Sequence, residues 1–430
     1  MRVLVTGANG FIGGHVVAAL LAAGHAVTGC VRDPAAWRRR WPGCAALACD
    51  FNRDVAPEDW RPRLDGIDAV VNAAGILSER GGQSHANVHV AAPAALFAAC
   101  RSAGVRRVIH ISALGADEAA GTGYARSKRA AEEALAATDL EWVILRPSLV
   151  YAGAAYGGTA LMRGLAALPW AVPLVGGGGQ RFCPLHMDDL TRAICRFLEP
   201  GAPARLRLDA AGPDAASLRE ILAGLRGWLG LGPARFVRVP VGLVALACRI
   251  GDALGWASVN GTALRMLQYG NTADGRAFRD AIGFAPRGFA AGLASQPATT
   301  QDRWHARLVP VRPLLRWLLA LLWLASGAIG LLPASIGYGA GLLEQAGLPR
   351  PAGAGLLYAA CLLDLALGAA LLLRWRARLA GAIGLGLAAG YPLVLTALAP
   401  WAWADPLGAL VKNLAIAGAT LAMIAIEDDR

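Results

Sequence analysis

Four long apolar stretches fill the last third of the chain and contrast with the mixed polar and apolar pattern before them. After Pro313 they read LLRWLLALLWLASGAIGLLP, GAGLLYAACLLDLALGAALLLR, LAGAIGLGLAAGYPLVLTAL and PLGALVKNLAIAGATLAMIAI. Each is close to the roughly 20 residues with which an α-helix crosses about 30 Å of hydrocarbon. The pattern therefore predicts an all-α bundle of four transmembrane helices over residues 313–430, embedded in the lipid bilayer.

Basic residues around these stretches predict their orientation. Arg312 and Arg316 stand at the start of the first stretch, and three arginines fill the turn between the second and the third, whereas the other two connections hold only Arg350. Because cytoplasmic loops carry an excess of lysine and arginine, both ends of the bundle are expected in the cytoplasm. The chain enters an apolar strand, VLVT, without a cleavable signal. We therefore expect a multi-pass protein of the cytoplasmic (inner) membrane, with its N-terminal part in the cytoplasm.

Two ionisable residues fall inside the apolar stretches. Asp364 lies near the middle of the second stretch, and Lys412 lies about two turns into the fourth. A charge at bilayer depth costs roughly 2.5–3.5 kcal/mol on insertion scales, so such residues usually face a partner inside the bundle. The two positions differ in depth by roughly 6 Å, which a lysine side chain can span. We predict an ion pair between them with Asn413 nearby; the alternative is a Lys412 that snorkels to the interface and a protonated Asp364, with separate partners.

Before the bundle, the pattern changes twice. Residues 294–312 are polar and contain proline, and are predicted to be a linker. The stretch VPVGLVALACRIGDALGW from Val239 is amphipathic, and its Arg249 and Asp252 favour a soluble helix over a fifth membrane span. The soluble part is thus expected over residues 1–293.

The chain opens with the pattern of a strand, a glycine-punctuated turn, a helix and a second strand: VLVTGANGFIGGHVVAALLAAGHAVTGCVRD. Gly7, Gly10 and Gly13 are three residues apart. They permit a tight turn, a close approach to a pyrophosphate and close packing of the helix on the strand, respectively. Unpaired N–H groups at the helix N-terminus then favour the pyrophosphate. We predict a doubly wound parallel α/β sheet of the Rossmann type, with Asn9, Phe11 and Ile12 also at the cofactor.

Residues after later strands refine the cofactor site. An acidic residue about 20 positions beyond the glycines binds the ribose hydroxyl of NAD, but here Arg32 comes first and Asp33 second. A guanidinium pairs with a 2′-phosphate, so NADP(H) is favoured; NAD(H) binding through Asp33 is the alternative. Asp50 and Phe51 are placed to meet an adenine. The small residues that end VVNAAG leave room for the cofactor, and they are Ala73, Ala74 and Gly75.

Several motifs together resemble one family. TGANGFIGG, AVVNAAG, NV at Asn87, VIHIS, YARSK at 124–128, LRPSLVY at 145–151 and CPLHMDDLTRAI at 183–194 resemble the short-chain dehydrogenases/reductases of the extended or atypical kind, related to nucleotide-sugar epimerases. HISALGAD is most similar to the branch that includes the nucleotide-binding accessory subunit of respiratory complex I. The last 120 or so residues resemble a DoxX-like four-helix membrane domain.

The resemblance implies roles for particular residues. Tyr124 would exchange a proton with the substrate oxygen, and Lys128, one helical turn later, would lower the pKa of the phenol and bond the nicotinamide ribose. Asn87 matches an asparagine that holds a proton-relay water in some members. The position of the serine or threonine that polarises the substrate falls on Ala113. Ser112, one place earlier, is the candidate hydroxyl, but a one-residue shift at a strand end would turn it toward the other side. Pro147 completes the implied cofactor set, and residues from 152 onward would form a small substrate lobe.

Composition limits the function further. Hydrophobic residues make up 56% and charged residues 17%, against about 45–50% and about 25% in soluble domains. The net charge of +11 comes without a lysine-rich run, which argues against nucleic acid. The eight cysteines show no metal-ligand spacing, so we expect no metal and reduced thiols.

Two hypotheses follow. One is a membrane-anchored oxidoreductase or epimerase-like enzyme acting on a small, lipophilic molecule. The other is a non-catalytic dinucleotide-binding module that stabilises or regulates a membrane assembly, with a membrane-protein partner or a second copy of the chain.

Overall fold

The computed structural model describes residues 1–79, 81–116, 121–253, 259–398, 400–404 and 409–427. Contacts divide the chain into two compact units, Met1–Arg303 and Trp304–Arg430. In chain order the strands are β1 (Arg2–Thr6), β2 (Ala26–Val31), β3 (Ala45–Ala48), β4 (Ala69–Asn72), β5 (Arg107–Ile111), β6 (Glu141–Pro147), β7 (Val150–Tyr151), β8 (Val172–Val175), β9 (Arg181–Phe182), β10 (Leu185–His186), β11 (Leu206–Ala210), β12 (Ala216–Ser217) and β13 (Phe236–Val239).

Helices alternate with the strands of the first unit and make up most of the second. They are α1 (Phe11–Ala22), α2 (Pro34–Arg40), α3 (Pro57–Trp60), α4 (Ala92–Ala103), α5 (Gly123–Ala136), α6 (Gly157–Ala166), α7 (Met187–Phe197), α8 (Leu218–Trp228), α9 (Val241–Ala253), α10 (Gly261–Tyr269), α11 (Arg276–Ile282), α12 (Phe289–Ala294), α13 (Thr300–Gly330), α14 (Pro333–Gln345), α15 (Arg350–Leu372), α16 (Ala377–Leu398) and α17 (Ala409–Ile426).

Seven strands form one parallel sheet in the order β11-β6-β5-β4-β1-β2-β3. Its strands are nearly continuous apolar runs because helices cover both faces, as all-parallel sheets require. Along β1 the side chains alternate, with Val3 and Val5 in one core and Leu4 in the other. The sheet confirms the predicted doubly wound α/β fold. The order in which successive strands are added to the sheet reverses between β1 and β4, and ligands of such folds bind in the crevice beyond the strand ends at that point.

A smaller lobe follows the sheet, with short strand pairs and the helices α6, α8, α9, α10 and α12. Its separate core contains Tyr151, Leu174, Phe182, Leu222 and Leu293. The stretch from Val239 forms α9, whose only described fully buried residues are Cys248 and Gly251. The lobe is built largely from the residues expected to form a substrate lobe.

The second unit contains three helices, α13, α15 and α16, that are long and apolar enough to cross a membrane. The fourth predicted span, α17, is shorter, and α14 is an additional helix between the first two spans that the apolar pattern did not indicate. Part of the predicted linker is also helical, because α13 begins at Thr300 and continues through Pro310 and Pro313. Asp405, in the connection between the third and the fourth predicted spans, lies outside the described residues.

The predicted ion pair between Asp364 and Lys412 is wrong for the described structure. Asp364 is buried and accepts hydrogen bonds from Ser326 Oγ at 2.8 Å and Tyr391 Oη at 3.2 Å, whereas Lys412 is exposed. Two neutral hydroxyls on neighbouring helices satisfy the carboxylate, and the lysine lies on an outer face of its own helix. Asn413 has interactions within the chain. Asp364 thus has partners other than Lys412, as the alternative stated for that residue.

Candidate active site

The glycine-rich turn between β1 and α1 is built so that no side chain fits inside it. Gly7 has φ +62°, and a Cβ there would lie 2.6 Å from the carbonyl oxygen of Ala73. A Cβ on Gly13 would lie 2.2 Å from the carbonyl oxygen of Gly7. The turn is closed by a hydrogen bond from the N–H of Gly10 to the same oxygen, and Gly10 caps α1 without a side chain. The first-turn N–H groups of α1 therefore lack a side-chain cap and suit a diphosphate.

This geometry fits a dinucleotide. The sequence-predicted residues Gly7, Gly10, Gly13 and Ala73 meet at the switch point of the sheet, with Ala74 buried directly behind the turn. Asn9, Phe11 and Ile12 lie in the turn and the first residues of α1. Phe11 stacks on Tyr156 with ring centroids 5.9 Å apart, which links the turn to the segment before α6.

Arg32 and Asp33, which the sequence left as competing cofactor residues, differ in their surroundings. The Asp33 carboxylate caps α2 and accepts hydrogen bonds from the N–H groups of Ala35 and Ala36, both at 2.9 Å. Arg32 is exposed. One carboxylate oxygen is therefore already engaged by the backbone, while the guanidinium is accessible.

The segment after β3 is tied to its neighbours by polar contacts. Asp50 accepts a hydrogen bond from the N–H of Asn52 at 3.0 Å and lies 3.7 Å from Arg53. Phe51 packs edge-on against Trp60 in the core. Asn87 Nδ2 donates to the carbonyl oxygen of Asn52 at 3.0 Å, so this predicted water-holding residue anchors the loop that carries Asp50.

Tyr124 and Lys128 occupy the first turns of α5, which begins after the capping side chain of Thr122. Lys128 is buried, and its Nζ donates a hydrogen bond to the carbonyl oxygen of Ile111, at the end of β5, over 3.0 Å. The same nitrogen lies 3.1 Å from the place of a Cβ on Gly75, so glycine is needed there to admit the lysine. The residues that follow β4 and β5 thus converge on the Tyr-Lys pair, as strand ends in one parallel sheet do.

Burial shifts both groups of the pair in the direction of their neutral forms. It raises the pKa of Tyr124 to about 12, and it lowers the pKa of Lys128 to about 8 although the nearby Glu132 opposes the change. At neutral pH the phenol therefore carries its proton and the ammonium is still mostly charged. This is the state that donates a proton.

Ser112 is occupied by other groups. Its hydroxyl donates to the buried carboxylate of Glu132 at 2.5 Å, and the same carboxylate binds Arg146 at 2.6 Å and Arg207 at 3.1 Å. Ala113 holds the position of the polarising hydroxyl that the resemblance implied. Asp117, the last residue of HISALGAD, lies outside the described residues. Pro147 ends β6, where its carbonyl oxygen accepts from the N–H of Leu114 at 3.0 Å.

Two histidines that the sequence did not single out surround Tyr124. The ring of His89 lies edge-on to Tyr124 at 5.5 Å, and His85 stacks on His89 at 5.0 Å. The N–H of Ile76 donates to His89 Nε2 at 2.9 Å, so the proton of the neutral ring is on Nδ1, which donates to Ser127 Oγ at 2.8 Å. Burial, with the charge of Lys128, lowers the pKa of His89 to about 2. The His89 ring is therefore uncharged at neutral pH and lines the site next to Tyr124.

A third buried histidine lies behind the pair. Thr6 Oγ1 donates to Asn72 Oδ1 at 2.6 Å, and Asn72 Nδ2 lies 3.0 Å from Nδ1 of His110. These groups connect β1, β4 and β5 under the crevice. Among the described residues, no group of three or more His, Cys, Asp or Glu side chains is arranged to hold a metal ion.

Comparison with known proteins gives matches to both units. The NAD(P)H-binding family model matches residues 7–166, and the DoxX-like family model matches residues 320–421. Ceramide reductase of Caulobacter vibrioides is 30% identical over 269 residues, which cover 60% of this chain and 80% of that protein. NADH dehydrogenase [ubiquinone] 1 alpha subcomplex subunit 9 of Arabidopsis thaliana is 29% identical over 255 residues, covering 55% of this chain and 60% of that protein.

Among solved structures, MoeE5 in complex with UDP-glucose and NAD superimposes with a TM-score of 0.53 at 24% identity, covering 72% of this chain and 100% of that one. At this identity the likeness shows the fold. The relative from Caulobacter vibrioides and the two family models establish the family: the chain belongs to the NAD(P)-binding proteins of the short-chain dehydrogenase/reductase type and carries a DoxX-like domain in its C-terminal third.

Proposed function

We propose that this protein is a membrane-anchored, NADPH-dependent reductase that converts a carbonyl group of a lipophilic molecule into an alcohol. The observation that carries the proposal is the Tyr124–Lys128 pair, held at the strand ends beside the glycine-rich turn with Lys128 Nζ fixed on Ile111. The relative from Caulobacter vibrioides is named a ceramide reductase, which supports reduction and a lipid-like substrate.

In this mechanism Tyr124 is the proton donor. When bound, NADPH supplies the hydride that forms the new C–H bond at the carbonyl carbon. Tyr124 Oη gives its proton to the carbonyl oxygen, which becomes the hydroxyl of the alcohol. The charge of Lys128 stabilises the phenolate that remains, until solvent returns the proton. The carbonyl oxygen of Ile111 holds the ammonium and Gly75 leaves room for it, while the rings of His85 and His89 lie edge-on to the ring of Tyr124.

The preference for NADPH rests on the contrast between Arg32 and Asp33. A ribose hydroxyl would need a carboxylate acceptor, and one of the two carboxylate oxygens of Asp33 already accepts two hydrogen bonds as the cap of α2. A 2′-phosphate would need a cation, and Arg32, the residue before Asp33, has an exposed guanidinium. We also propose that Asp50 contacts the adenine of the cofactor, as the sequence predicts.

Support for a lipophilic substrate comes from the small lobe. Leu243, Leu246 and Ile250 lie on one face of α9 and are 60%, 54% and 46% exposed. Trp170, before β8, is 87% exposed. Exposed apolar faces of this kind are typical of surfaces that meet a membrane or an apolar ligand. We assign residues 1–293 to the reductase unit, on the cytoplasmic side of the inner membrane, and residues 313–430 to the membrane unit.

One observation favours a second function. With Ala113 at the position of the polarising hydroxyl and the Ser112 hydroxyl bound to Glu132, the described residues 111–116 offer the pair no free hydroxyl. A protein that binds the dinucleotide only to stabilise or regulate a membrane assembly would tolerate that loss. A positioned proton donor still contributes about 10²–10⁴-fold, so Tyr124 and Lys128 suffice for a slow reductase.

Turnover of NADPH with long-chain ketones in detergent micelles separates the two functions. We expect wild type to oxidise NADPH only in the presence of the ketone, and Tyr124→Phe to lose at least about 100-fold in kcat while NADPH affinity stays the same. Tyr338→Phe, at an exposed tyrosine of α14, is the matched control and should keep the full rate. Tight NADPH binding without ketone-dependent oxidation would favour the binding module.

A further inference from the structure

The outward side of α9, in the small lobe, is apolar. Leu243, Leu246 and Ile250 follow one another at intervals of three and four residues, which places them on one side of the helix, and all three are exposed. We call these three residues the α9 face. The opposite side packs into the lobe through Cys248 and Gly251, which are buried. A surface helix usually directs polar residues outward, so contact with water does not explain this pattern.

The neighbouring positions add little polar cover to the α9 face. Gly242 and Ala253 share this side of the helix and are exposed. Arg249 lies at one border of the face. The carboxylate of Asp252, farther around the helix, accepts hydrogen bonds from the N–H of Gly261 at 3.1 Å and 3.3 Å and so connects α9 with α10. Within α9, Arg249 is therefore the charged residue nearest to the α9 face.

Positive charge predominates in the elements next to α9. Between positions 235 and 265 the chain has four arginines and one acidic residue, Asp252, which leaves a net charge of +3 over this segment. The four exposed arginines lie just before β13, in β13, in α9 and in α10, and they are Arg235, Arg238, Arg249 and Arg265. Among the described residues, none of these guanidiniums forms an ion pair with a carboxylate. Residues 254–258, LGWAS, lie outside the described ones but have no ionisable group, so they leave this balance unchanged.

An aromatic residue accompanies one of these arginines. Tyr269 lies four residues after Arg265, on the same side of α10, and is 64% exposed. Tyrosine is enriched where a protein meets the boundary between hydrocarbon and water, because its ring is apolar and its tip is polar. Arginine suits the same boundary, since its stem covers apolar surface while its charge stays in water. Helices α9 and α10 thus expose the apolar, aromatic and basic side chains that are typical of a lipid surface.

The covalent link to the second unit brings a bilayer within reach. Helix α12 ends at Ala294 and α13 begins at Thr300, so only residues 295–299 separate them. Helix α13 is one of the three helices that are long and apolar enough to cross a membrane. Such an anchor keeps the first unit near the lipid surface, so that even a weak affinity of the α9 face for lipid suffices for contact. A soluble acidic partner would have to bind from solution without that advantage.

We propose that the α9 face lies in the interfacial layer of the bilayer that holds the helices of the second unit, with the nearby arginines on anionic head groups. Interfacial helices bind lipid in this way, with apolar side chains at the boundary of the acyl chains and basic side chains among the phosphates. The contact itself does not depend on the proposed reductase activity. Its consequence rests on that proposed function: a lipophilic carbonyl compound would pass from the bilayer to the small lobe without entering water.

Photo-crosslinking in a defined bilayer tests the proposal. The full chain would carry the photoreactive amino acid p-benzoylphenylalanine in place of Leu246, or, as the matched control, in place of Ala223, an exposed residue of α8 in the same lobe. Both proteins would be reconstituted in nanodiscs of phosphatidylcholine with and without phosphatidylglycerol, illuminated and examined by mass spectrometry for covalently bound lipid. Position 246 should form at least about fivefold more lipid adduct than position 223, and phosphatidylglycerol should raise the yield at position 246 at least about twofold. Melting temperatures equal to that of wild type would verify that both variants are folded.

The other outcomes overturn the proposal in distinct ways. Equal lipid adducts at the two positions would mean that any exposed residue of the lobe meets lipid by chance. An adduct of position 246 with a second copy of the chain, or with a helix of the second unit, would assign the α9 face to a protein contact. The same yield with and without phosphatidylglycerol would show that the arginines do not bind anionic head groups. Because turnover is measured separately, lipid adducts without NADPH oxidation would contradict only the proposed reductase, and NADPH oxidation without lipid adducts would contradict only the membrane contact.

Discussion

Replacing Gly13 by alanine tests the cofactor turn at its tightest point. The added Cβ would lie 2.2 Å from the carbonyl oxygen of Gly7, 2.8 Å from its carbonyl carbon and 3.0 Å from Cα of Ala8. All three atoms belong to the backbone, so no flexible side chain can move aside. Restoring an ordinary contact requires that α1 and the turn separate by about 1 Å, and overpacking of this kind typically costs about 1–3 kcal/mol.

Gly14 provides the matched control, since it is the next residue of the same helix. A Cβ there would meet the carbonyl oxygen of Ala8 at 3.6 Å and the guanidinium of Arg40 at 3.8 Å, which are ordinary contacts. Alanine is favoured over glycine inside a helix by about 0.5–1 kcal/mol. Gly14→Ala should therefore leave the protein as stable as wild type or slightly more stable.

Urea unfolding followed by fluorescence, and calorimetric titration with NADPH, measure the two consequences. Gly13→Ala should lower the free energy of unfolding and weaken NADPH binding at least about tenfold, because the displaced N–H groups no longer meet the diphosphate. Gly14→Ala should bind NADPH like wild type. If both variants bound NADPH equally well, the close approach of α1 to the turn would not be what shapes the cofactor site.

Three further predictions concern other parts of the chain. Arg32→Ala should weaken NADPH binding about tenfold or more and leave NADH binding unchanged by calorimetry; equal affinity of wild type for both cofactors would contradict the preference. Because the pKa of Lys128 is about 8 and only its charged form stabilises the phenolate, kcat/KM for reduction should be constant below about pH 8 and fall at higher pH, and a rise there would contradict the assignment. Asp364→Ala should destabilise the detergent-solubilised protein by about 1–3 kcal/mol, since the hydroxyls of Ser326 and Tyr391 lose their acceptor, and a melting temperature equal to wild type would contradict their buried hydrogen bonds.

The periodic part of the structure was open to prediction from the sequence. A run such as VLVTGANGFIGG specifies a strand, a turn without room for side chains and a helix, because the constraint on each glycine is local. The parallel sheet and the apolar helices of the second unit follow from the same kind of pattern. The length and composition of a predicted transmembrane helix also determine at what depth in the bilayer each of its residues lies.

Contacts between residues that are distant in the sequence were harder to predict. Depth placed Asp364 near Lys412, but depth does not say which side of a helix faces which neighbour, and hydroxyl groups of Ser326 and Tyr391 took the place of the lysine. The sequence did not predict a place for His89 in the site. His89 lies in a π-helical turn, residues 86–91, where the usual 3.6-residue spacing does not apply. Only the nearby sequence NVHV, next to Asn87, offered a signal.

The position of Ser112 shows how much one residue matters at a strand end. Alignment of VIHIS on the family pattern put Ala113 at the polarising position, and the structure engages the neighbouring serine with Glu132. The charge of Glu132 is compensated by Arg146 and Arg207, which come from β6 and β11. Contacts among three separate segments of this kind cannot be read from local pattern.

Transfer of deuterium from NADPH labelled at the reactive C4 position tests the central claim most directly. The purified protein would be incubated with the labelled cofactor and a long-chain ketone, and the lipid product would be examined by mass spectrometry. The reductase account predicts an alcohol that carries one deuterium on the former carbonyl carbon with wild type, and none above background with Tyr124→Phe. An unlabelled lipid with wild type, despite bound NADPH, would contradict catalysis and leave a nucleotide-binding module.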